Sequence, residues 1–346
     1  MAQEKARPFP TLLIISQIPL CLNRCFGGGG VVYWRYRNCG KGVKQMEQGC
    51  QLCPRRCGAR RDLGQAGLCG ASSLRCARAG LHMWEEPCLC GKSGSGAIFF
   101  TGCPLGCVFC QNDPISHSRQ GPGRQISPRQ LAEVFRQLEE QGACNINLAS
   151  PTPYVPQIAE AFEIYRPRAP VVYNTGGYER LETLALIDPY VDIYLPDLKY
   201  FSPEISQKYS GAADYFQAAS QALLYMLGQK GPAQFNSEGL MTRGVVVRHL
   251  ALPGNLRQTY LLIDWMKDHI PKDTYISLMS QYFPAGRAAE YPELNRRLTP
   301  GEYRRACLRL LDAGFENGFF QEANSASPDY VPDFDCSGLP DPEEQA

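Results

Sequence analysis

Three cysteines, Cys103, Cys107 and Cys110, fall in one short loop, Cys103-Pro-Leu-Gly-Cys107-Val-Phe-Cys110, directly after the apolar run Ala97-Ile98-Phe99-Phe100. Thiolates at this spacing are metal ligands. Three are one too few to close a four-coordinate site. A four-iron cluster takes a Cys thiolate on each iron, so a three-cysteine loop leaves one iron open. An open metal position is where a site binds and activates a molecule. The plainer reading is three buried or zinc-binding thiols. A structural zinc ion wants a fourth ligand, however, and none follows nearby.

A second group, Cys50, Cys53, Cys57 and Cys69, has the spacing C-x2-C-x3-C-x11-C. Four thiolates suffice for structural zinc or for a closed iron–sulfur cluster, so this is a candidate second metal site. Partly buried thiols without metal are the other reading, and Cys76, Cys88 or Cys90 can replace one ligand. Cys21, Cys25, Cys39, Cys144, Cys307 and Cys336 show no ligand spacing and read as packing.

With 16 cysteines in 346 residues, a secreted protein would be read as disulfide-rich. Here the thiols sit in ligand-like clusters, within a chain whose 44% hydrophobic content supports a core without staples. That places it in a reducing compartment, the cytoplasm, with thiols sensitive to oxygen. Lysine and arginine (35) balance aspartate and glutamate (34), which argues against a nucleic-acid partner. Lys5 and Arg7 ahead of the apolar run Thr11–Leu22 resemble the start of a signal peptide. The run is too short and too Pro-interrupted to span a membrane. Residues 1–49 read as a poorly ordered extension, and no membrane contact is expected.

From Ala97 onward short apolar runs alternate with helical periodicity. The runs are 97–101, 145–149, 171–174, 191–195, 244–249 and 274–279. Helical patterns lie at 128–141 and near 155–165, 178–187, 203–227, 256–269 and 300–312. Two of these open on capping boxes, Ser127 with Gln130 and Thr299 with Glu302. Unalternating apolar strands covered on both faces, joined by helices, make a parallel sheet. The expected fold is α/β, a partial (β/α)6 barrel of parallel strands with a Cys-rich N-terminal extension. Its parts are the extension 1–49, a Cys-rich metal-associated segment 50–95, the barrel 96–325, and a C-terminal strap and tail 326–346. Chemistry belongs at the carboxyl ends of such strands. Cys103, Ser150, Asn174, Asp197, Lys199, His249 and Gln281 all fall there.

Further motifs extend the pattern: Cys50-Gln-Leu-Cys-Pro-Arg-Arg-Cys57, His82-Met-Trp-Glu-Glu-Pro87, Asn174-Thr-Gly-Gly-Tyr178, Asp197-Leu-Lys199, Arg248-His249-Leu-Ala-Leu-Pro-Gly254 and Met279-Ser-Gln-Tyr282. With the three-cysteine loop, and collinear from Cys50 to about Phe334, they resemble the pyruvate formate-lyase activating enzyme-like branch of the radical SAM family, particularly an uncharacterised iron–sulfur subgroup. The resemblance implies that Cys103, Cys107 and Cys110 hold a [4Fe-4S] cluster whose free iron chelates S-adenosylmethionine. Reductive cleavage would give methionine and a 5′-deoxyadenosyl radical that abstracts hydrogen from a substrate. It also implies a flavodoxin- or ferredoxin-type electron donor and, as partner, a glycyl-radical enzyme. Radical modification of a small molecule or a protein side chain is the second reading. A non-catalytic iron–sulfur or metal-binding protein is the third.

Where the family often carries Gly-Gly-Glu-Pro, this chain has Ser150-Pro-Thr-Pro-Tyr154. Ser150 and Thr152 hydroxyls can accept from the methionine ammonium in place of the missing carboxylate. Asn174 matches a ribose-contacting position, or else caps the following helix. Lys199 suits the methionine carboxylate, with Asp197 orienting it. Arg248 and His249 are adjacent on a strand, so at most one faces the pocket. His249 is the cofactor-side candidate, against the usual fate of a satisfied core histidine. Phe283 stands where the family often has His. Glu85 and Glu86 are expected to strap the Cys-rich segment down by pairing with Arg55, Arg56, Arg60 or Arg61.

Overall fold

The computed structural model describes residues 22–24, 34–36, 49–116, 121–321, 326 and 330–341. Most of the extension 1–49, including its signal-like run and Cys21, Cys25 and Cys39, lies outside the described residues. Residues Met1–Lys41 form one compact unit and Gly42–Ala346 another. In the first, β1 (Leu22–Arg24) pairs antiparallel with β2 (Trp34–Tyr36).

The second unit begins irregularly and then runs β3 (Arg75–His82), the one-turn α1 (Pro87–Cys90), β4 (Ser95–Phe100), α2 (Asp113–Ser116) and β5 (Arg124–Gln125). Next come α3 (Pro128–Glu140), β6 (Ile146–Ala149), α4 (Val155–Ile164), β7 (Val171–Thr175), α5 (Leu181–Ile187) and β8 (Ile193–Pro196). After these follow α6 (Pro203–Ser210), α7 (Tyr215–Lys230), β9 (Gln234–Phe235), β10 (Met241–Leu250) and α8 (Leu256–His269). The chain closes with β11 (Tyr275–Met279), α9 (Pro300–Asp312) and β12 (Gly318–Phe320).

One sheet runs β12-β11-β10-β8-β7-β6-β4-β3-β5. From β4 to β12 every pair is parallel. The outer strands β4 and β12 do not pair with each other, so the barrel is open. Every residue of β4, β6, β7 and β8 is buried, as strands covered on both faces require. Helix α3 presents Leu131, Val134, Phe135 and Leu138 to the sheet and carries the expected capping box at Ser127 and Gln130. Thr299 and Glu302 cap α9 in the same way.

Three features depart from the sequence reading. Residues 75–82 of the Cys-rich segment form a regular strand, β3, which joins the sheet antiparallel to β4. A short strand beyond the sixth, β12, pairs with β11; its Gly318 is needed because an added Cβ would lie 2.1 Å from the Ile276 carbonyl oxygen. The single helix expected over 203–227 is two, because Gly211 adopts φ +60° and caps α6 in the left-handed conformation.

The C-terminal residues run along the outside of β3. Cys336 N–H donates to Ala77 O (2.8 Å) and Ala79 N–H to Ser337 O (2.9 Å). Phe334 packs edge-on against Phe99 in β4, with ring centres 5.6 Å apart.

Gly102, just ahead of the three-cysteine loop, sits at φ +80°, and a Cβ there would lie 2.6 Å from Cys69 O. Gly142 has a similar φ of +84° but nothing within 4 Å. Gly142→Ala should cost about 1 kcal/mol, for backbone strain alone. Gly102→Ala should cost at least about 1 kcal/mol more, because the clash is with backbone. Denaturant midpoints of the two variants check this; equal losses would contradict the packing described.

Candidate active site

The loop after β4 is pinned from outside. Val108 N–H donates to Tyr209 O (2.8 Å) and Gly106 N–H to Ser210 O (3.4 Å), both at the end of α6. Phe109 plugs into an aromatic nest, with ring centres 6.3, 6.5 and 6.0 Å from Tyr200, Tyr209 and Tyr282. So held, Cys103, Cys107 and Cys110 line a cavity of about 570 Å³ at the carboxyl ends of the parallel strands. Ser210 Oγ donates to Cys107 Sγ (3.0 Å), and Cys110 Sγ donates to Ser116 Oγ (3.3 Å). Burial raises the Cys103 thiol and pushes Cys110 up to about 11, while Lys199 works in the opposite direction. Buried thiols give up their protons when a cation takes their place.

The far wall is ionic. Asp197, following β8, accepts from Lys199 Nζ (2.6 Å) and from Arg248 Nε (3.0 Å). Arg248 Nη2 donates to Asn174 Oδ1 (2.6 Å), and Nη1 lies 3.5 Å from Glu85 Oε2. Asn147 Nδ2 donates to Glu85 Oε1 (2.9 Å). Burial opposes charge on Asp197, yet Lys199 and Arg248 win and hold its carboxyl below the usual range. Burial likewise opposes charge on Lys199 and Arg248, and Asp197 overcomes it in both. Glu85 and Glu86 go the other way, raised by burial despite Arg248. Glu86 Oε2 is buried with no hydrogen-bond partner, on the cavity wall.

Of the residues expected here, Ser150, Asn174, Asp197 and Lys199 line the cavity. Ser150 adopts φ +59°, strained for a residue with a side chain. Thr152 does not reach the main cavity. It lies in a narrow recess beside it, with Oγ1 donating to Glu179 Oε1 (2.5 Å). His249 must be withdrawn from the cofactor side. It faces away, Nδ1 2.7 Å from Leu198 O and Nε2 2.9 Å from Thr259 Oγ1, and burial holds it at about 4, hence neutral. Strand alternation gives the pocket to Arg248 instead. Phe283 is not among the lining residues. Glu85 pairs with Arg248 rather than with the arginines of the Cys-rich segment, and Glu86 lies in the field of the same arginine. Arg248, Glu85 and Glu86 are the residues that sequence reasoning missed.

Among the described residues no three His, Cys, Asp or Glu side chains gather as ligands of one metal ion. Thiolates of a cluster each bind their own iron, so they need not meet. Among the described residues no fourth cysteine lines the cavity. The donor set thus fits a cluster held by three thiolates, in a space sized for a cofactor-scale ligand.

Beneath the site, Glu179 is buried and its carboxyl is pushed up to about 7 by loss of solvent, although Thr152 and Thr175 hydroxyls pull the other way. Its folded value lies above the unfolded one, so its stabilising contribution is present at low pH and is lost as pH rises through about 7. Glu179→Gln keeps an acceptor for both threonines. The variant should therefore gain on the wild type as pH rises from about 5 to 8, by up to about 3 kcal/mol. Urea unfolding across that range checks this; a pH-independent difference contradicts it.

An uncharacterized protein of Methanocaldococcus jannaschii is 29% identical over 272 residues, 76% of this chain and 75% of its own. Among solved structures, Streptococcus suis SuiB bound to the precursor peptide SuiA is 14% identical over 66% of this chain, TM-score 0.43. The match covers 48% of SuiB, about half its length. Methylornithine synthase, PylB, is 15% identical over 61% of this chain and 60% of its own, TM-score 0.42. A domain of pyruvate-formate lyase-activating enzyme from Bacteroides vulgatus is 13% identical over 56% of this chain and 91% of its own, TM-score 0.33. Residues 97–232, from β4 through the three-cysteine loop and the Asp197–Lys199 pair, match the model of the Radical SAM superfamily.

Proposed function

We propose that the protein uses Cys103, Cys107 and Cys110 to hold a [4Fe-4S] cluster and binds S-adenosylmethionine against it, in the cavity walled by Asp197, Lys199 and Arg248. The observation that carries this reading is the juxtaposition of three thiols, with no fourth, and a buried cationic pair across one cavity. When bound, the two groups supply one-electron cleavage of a carbon–sulfur bond and hydrogen-atom abstraction. The match of residues 97–232 to the Radical SAM superfamily model supports both cofactors.

The chain's own residues then have distinct tasks. Lys199, fixed by Asp197, offers its remaining N–H donors to a carboxylate. The Ser150 hydroxyl and nearby backbone carbonyls accept from an ammonium, in the absence of a carboxylate on that turn. Asn174, held by Arg248 at its oxygen, keeps an amide N–H pair for a ribose hydroxyl or Glu85. The Phe109 nest excludes water behind the loop, which matters for a reactive radical.

For the hydrogen donor, the motif resemblance supports a backbone glycine in a partner glycyl-radical enzyme, with a flavodoxin- or ferredoxin-type protein as electron source. A second reading, a polar small molecule or protein side chain, is favoured by Glu85 and the unpartnered Glu86 Oε2 on the cavity wall. No helix among the described residues is long and apolar enough to cross a membrane, and we place the protein in the cytoplasm.

Anaerobically reconstituted and reduced protein should release 5′-deoxyadenosine from S-adenosylmethionine, and Cys107→Ala should release none. No release above background from the wild type would overturn the reading. A glycyl-radical doublet in electron paramagnetic resonance after mixing with a candidate partner decides for the activase. Lys199→Met, which leaves Asp197 paired to Arg248, should weaken S-adenosylmethionine binding about tenfold, or about 1.4 kcal/mol. Unchanged binding by equilibrium dialysis would remove Lys199 from the site.

A further inference from the structure

We propose that Cys50, Cys53, Cys57 and Cys69 hold a second four-iron cluster, capped by protein thiolates at every iron. The inference goes beyond the radical reading and does not depend on it.

The segment that carries these cysteines has almost no core of its own. Between residues 50 and 70 only Ala59, Gly67 and Cys69 are buried, while Leu63 and Leu68 are 73% and 70% exposed. Its regular structure amounts to one turn of 3-10 helix, Arg61–Leu63. An apolar core this small does not fix a loop; staples or a metal do so in comparable segments. Disulfides do not serve, because all four cysteines are free thiols.

The loop nevertheless closes on its cysteines. Cys50 N–H donates to Ala59 O (2.9 Å) and Gly58 N–H returns to Cys50 O (3.0 Å). Arg56 N–H donates to Cys53 O (3.0 Å), with Arg56 itself at φ +42°. Across from them, the bare Cα of Gly67 faces two sulfurs: an added Cβ would lie 3.3 Å from Cys57 Sγ and 3.4 Å from Cys69 Sγ. Arg61 Nη2 donates to Cys69 Sγ (3.2 Å), a contact suited to a sulfur carrying ligand charge. Among the described residues no three of these thiols gather as ligands of one ion. The Cys50 and Cys57 thiols are within hydrogen-bond reach of each other, and Cys57 and Cys69 flank Gly67; with Cys53, the loop offers the four thiolates that a closed cluster takes, one per iron.

The segment is also docked on the reactive face. Arg55 donates to Pro104 O (2.9 Å) and Ser210 O (2.8 Å), and its guanidinium lies 5.4 Å from the centre of the Tyr178 ring. Thr183 Oγ1 donates to Leu52 O (2.7 Å). Cys69 O abuts Gly102, the residue next to Cys103. The second centre would therefore sit against the loop of the first.

The test uses the full chain, reconstituted anaerobically with ferrous iron and sulfide. The wild type should hold about eight irons, four per cluster. A Cys103→Ala/Cys107→Ala/Cys110→Ala variant should keep about four, with a reduced-state resonance signal that S-adenosylmethionine leaves unchanged. Adding Cys53→Ser and Cys57→Ser should remove them. Gly67→Val, which removes no ligand but crowds the Cys57 and Cys69 sulfurs, should halve the wild-type iron, whereas Gly64→Ala, with open space around it, should not. Absence of iron from the triple variant, or one zinc in its place, would overturn the second cluster while leaving the first untouched. The Cys53→Ser/Cys57→Ser protein separates the two proposals: if it keeps about four irons whose signal shifts with S-adenosylmethionine, the first site stands on its own and the lost irons belong to the second. If it keeps the full wild-type iron, the second cluster is refuted.

Discussion

Asp197 accepts from Lys199 and Arg248 at once, in a site where most of the water has been removed. Removing one partner from a buried pair of this kind typically costs about 3–5 kcal/mol, because the remaining charge is stranded. The carboxylate also joins elements. Asp197, just beyond the end of β8, forms a parallel bridge with Arg248 in β10, and Leu198 N–H donates to Arg248 O (2.8 Å). The strand ends are thereby kept in register where the cavity opens. Arg248 then reaches Asn174 after its own pairing is met, and through Glu85 the strap that precedes β4. One carboxylate thus sets the positions of a lysine, an arginine and an amide that face the cysteine loop.

That loop is rigid for a different reason. It has no regular structure of its own, and it is fixed by carbonyls at the end of α6, by the Phe109 nest and by the Arg55 clamp on Pro104. A site made of loop residues gains precision only when the supporting shell is packed. Here the shell consists of tyrosines, Tyr200, Tyr209 and Tyr282, each with its hydroxyl engaged: with Ser210, with Glu293 and with Leu294 O.

Much of this was legible from the residues. Strands buried on both faces write continuous apolar runs, which is why β6 and β7 stand out, and capping boxes mark α3 and α9 with little ambiguity. The spacing of the cysteine triplet marked out the loop that lines the cavity. What escaped has physical causes. β3 carries Arg75, Arg78 and His82 at half-buried positions, so its apolar pattern is broken. β12 is three residues long and begins with a glycine chosen for close approach. Gly211 is a single left-handed cap inside an otherwise helical pattern. Arg248, Glu85 and Glu86 come together only in space, across β10 and the strap. Of Arg248 and His249, alternation admits one to the cavity, and only the fold shows that the histidine is the one spent on Leu198 and Thr259.

The account turns on one iron at the Cys103, Cys107 and Cys110 loop that no protein atom occupies and that S-adenosylmethionine reaches. Electron–nuclear double resonance of the reduced protein, mixed with S-adenosylmethionine isotopically labelled at the methionine amino nitrogen, tests this directly. A hyperfine coupling from that nitrogen, lost in Cys107→Ala, is the predicted result. A reduced cluster on those three cysteines that shows no such coupling would contradict the account.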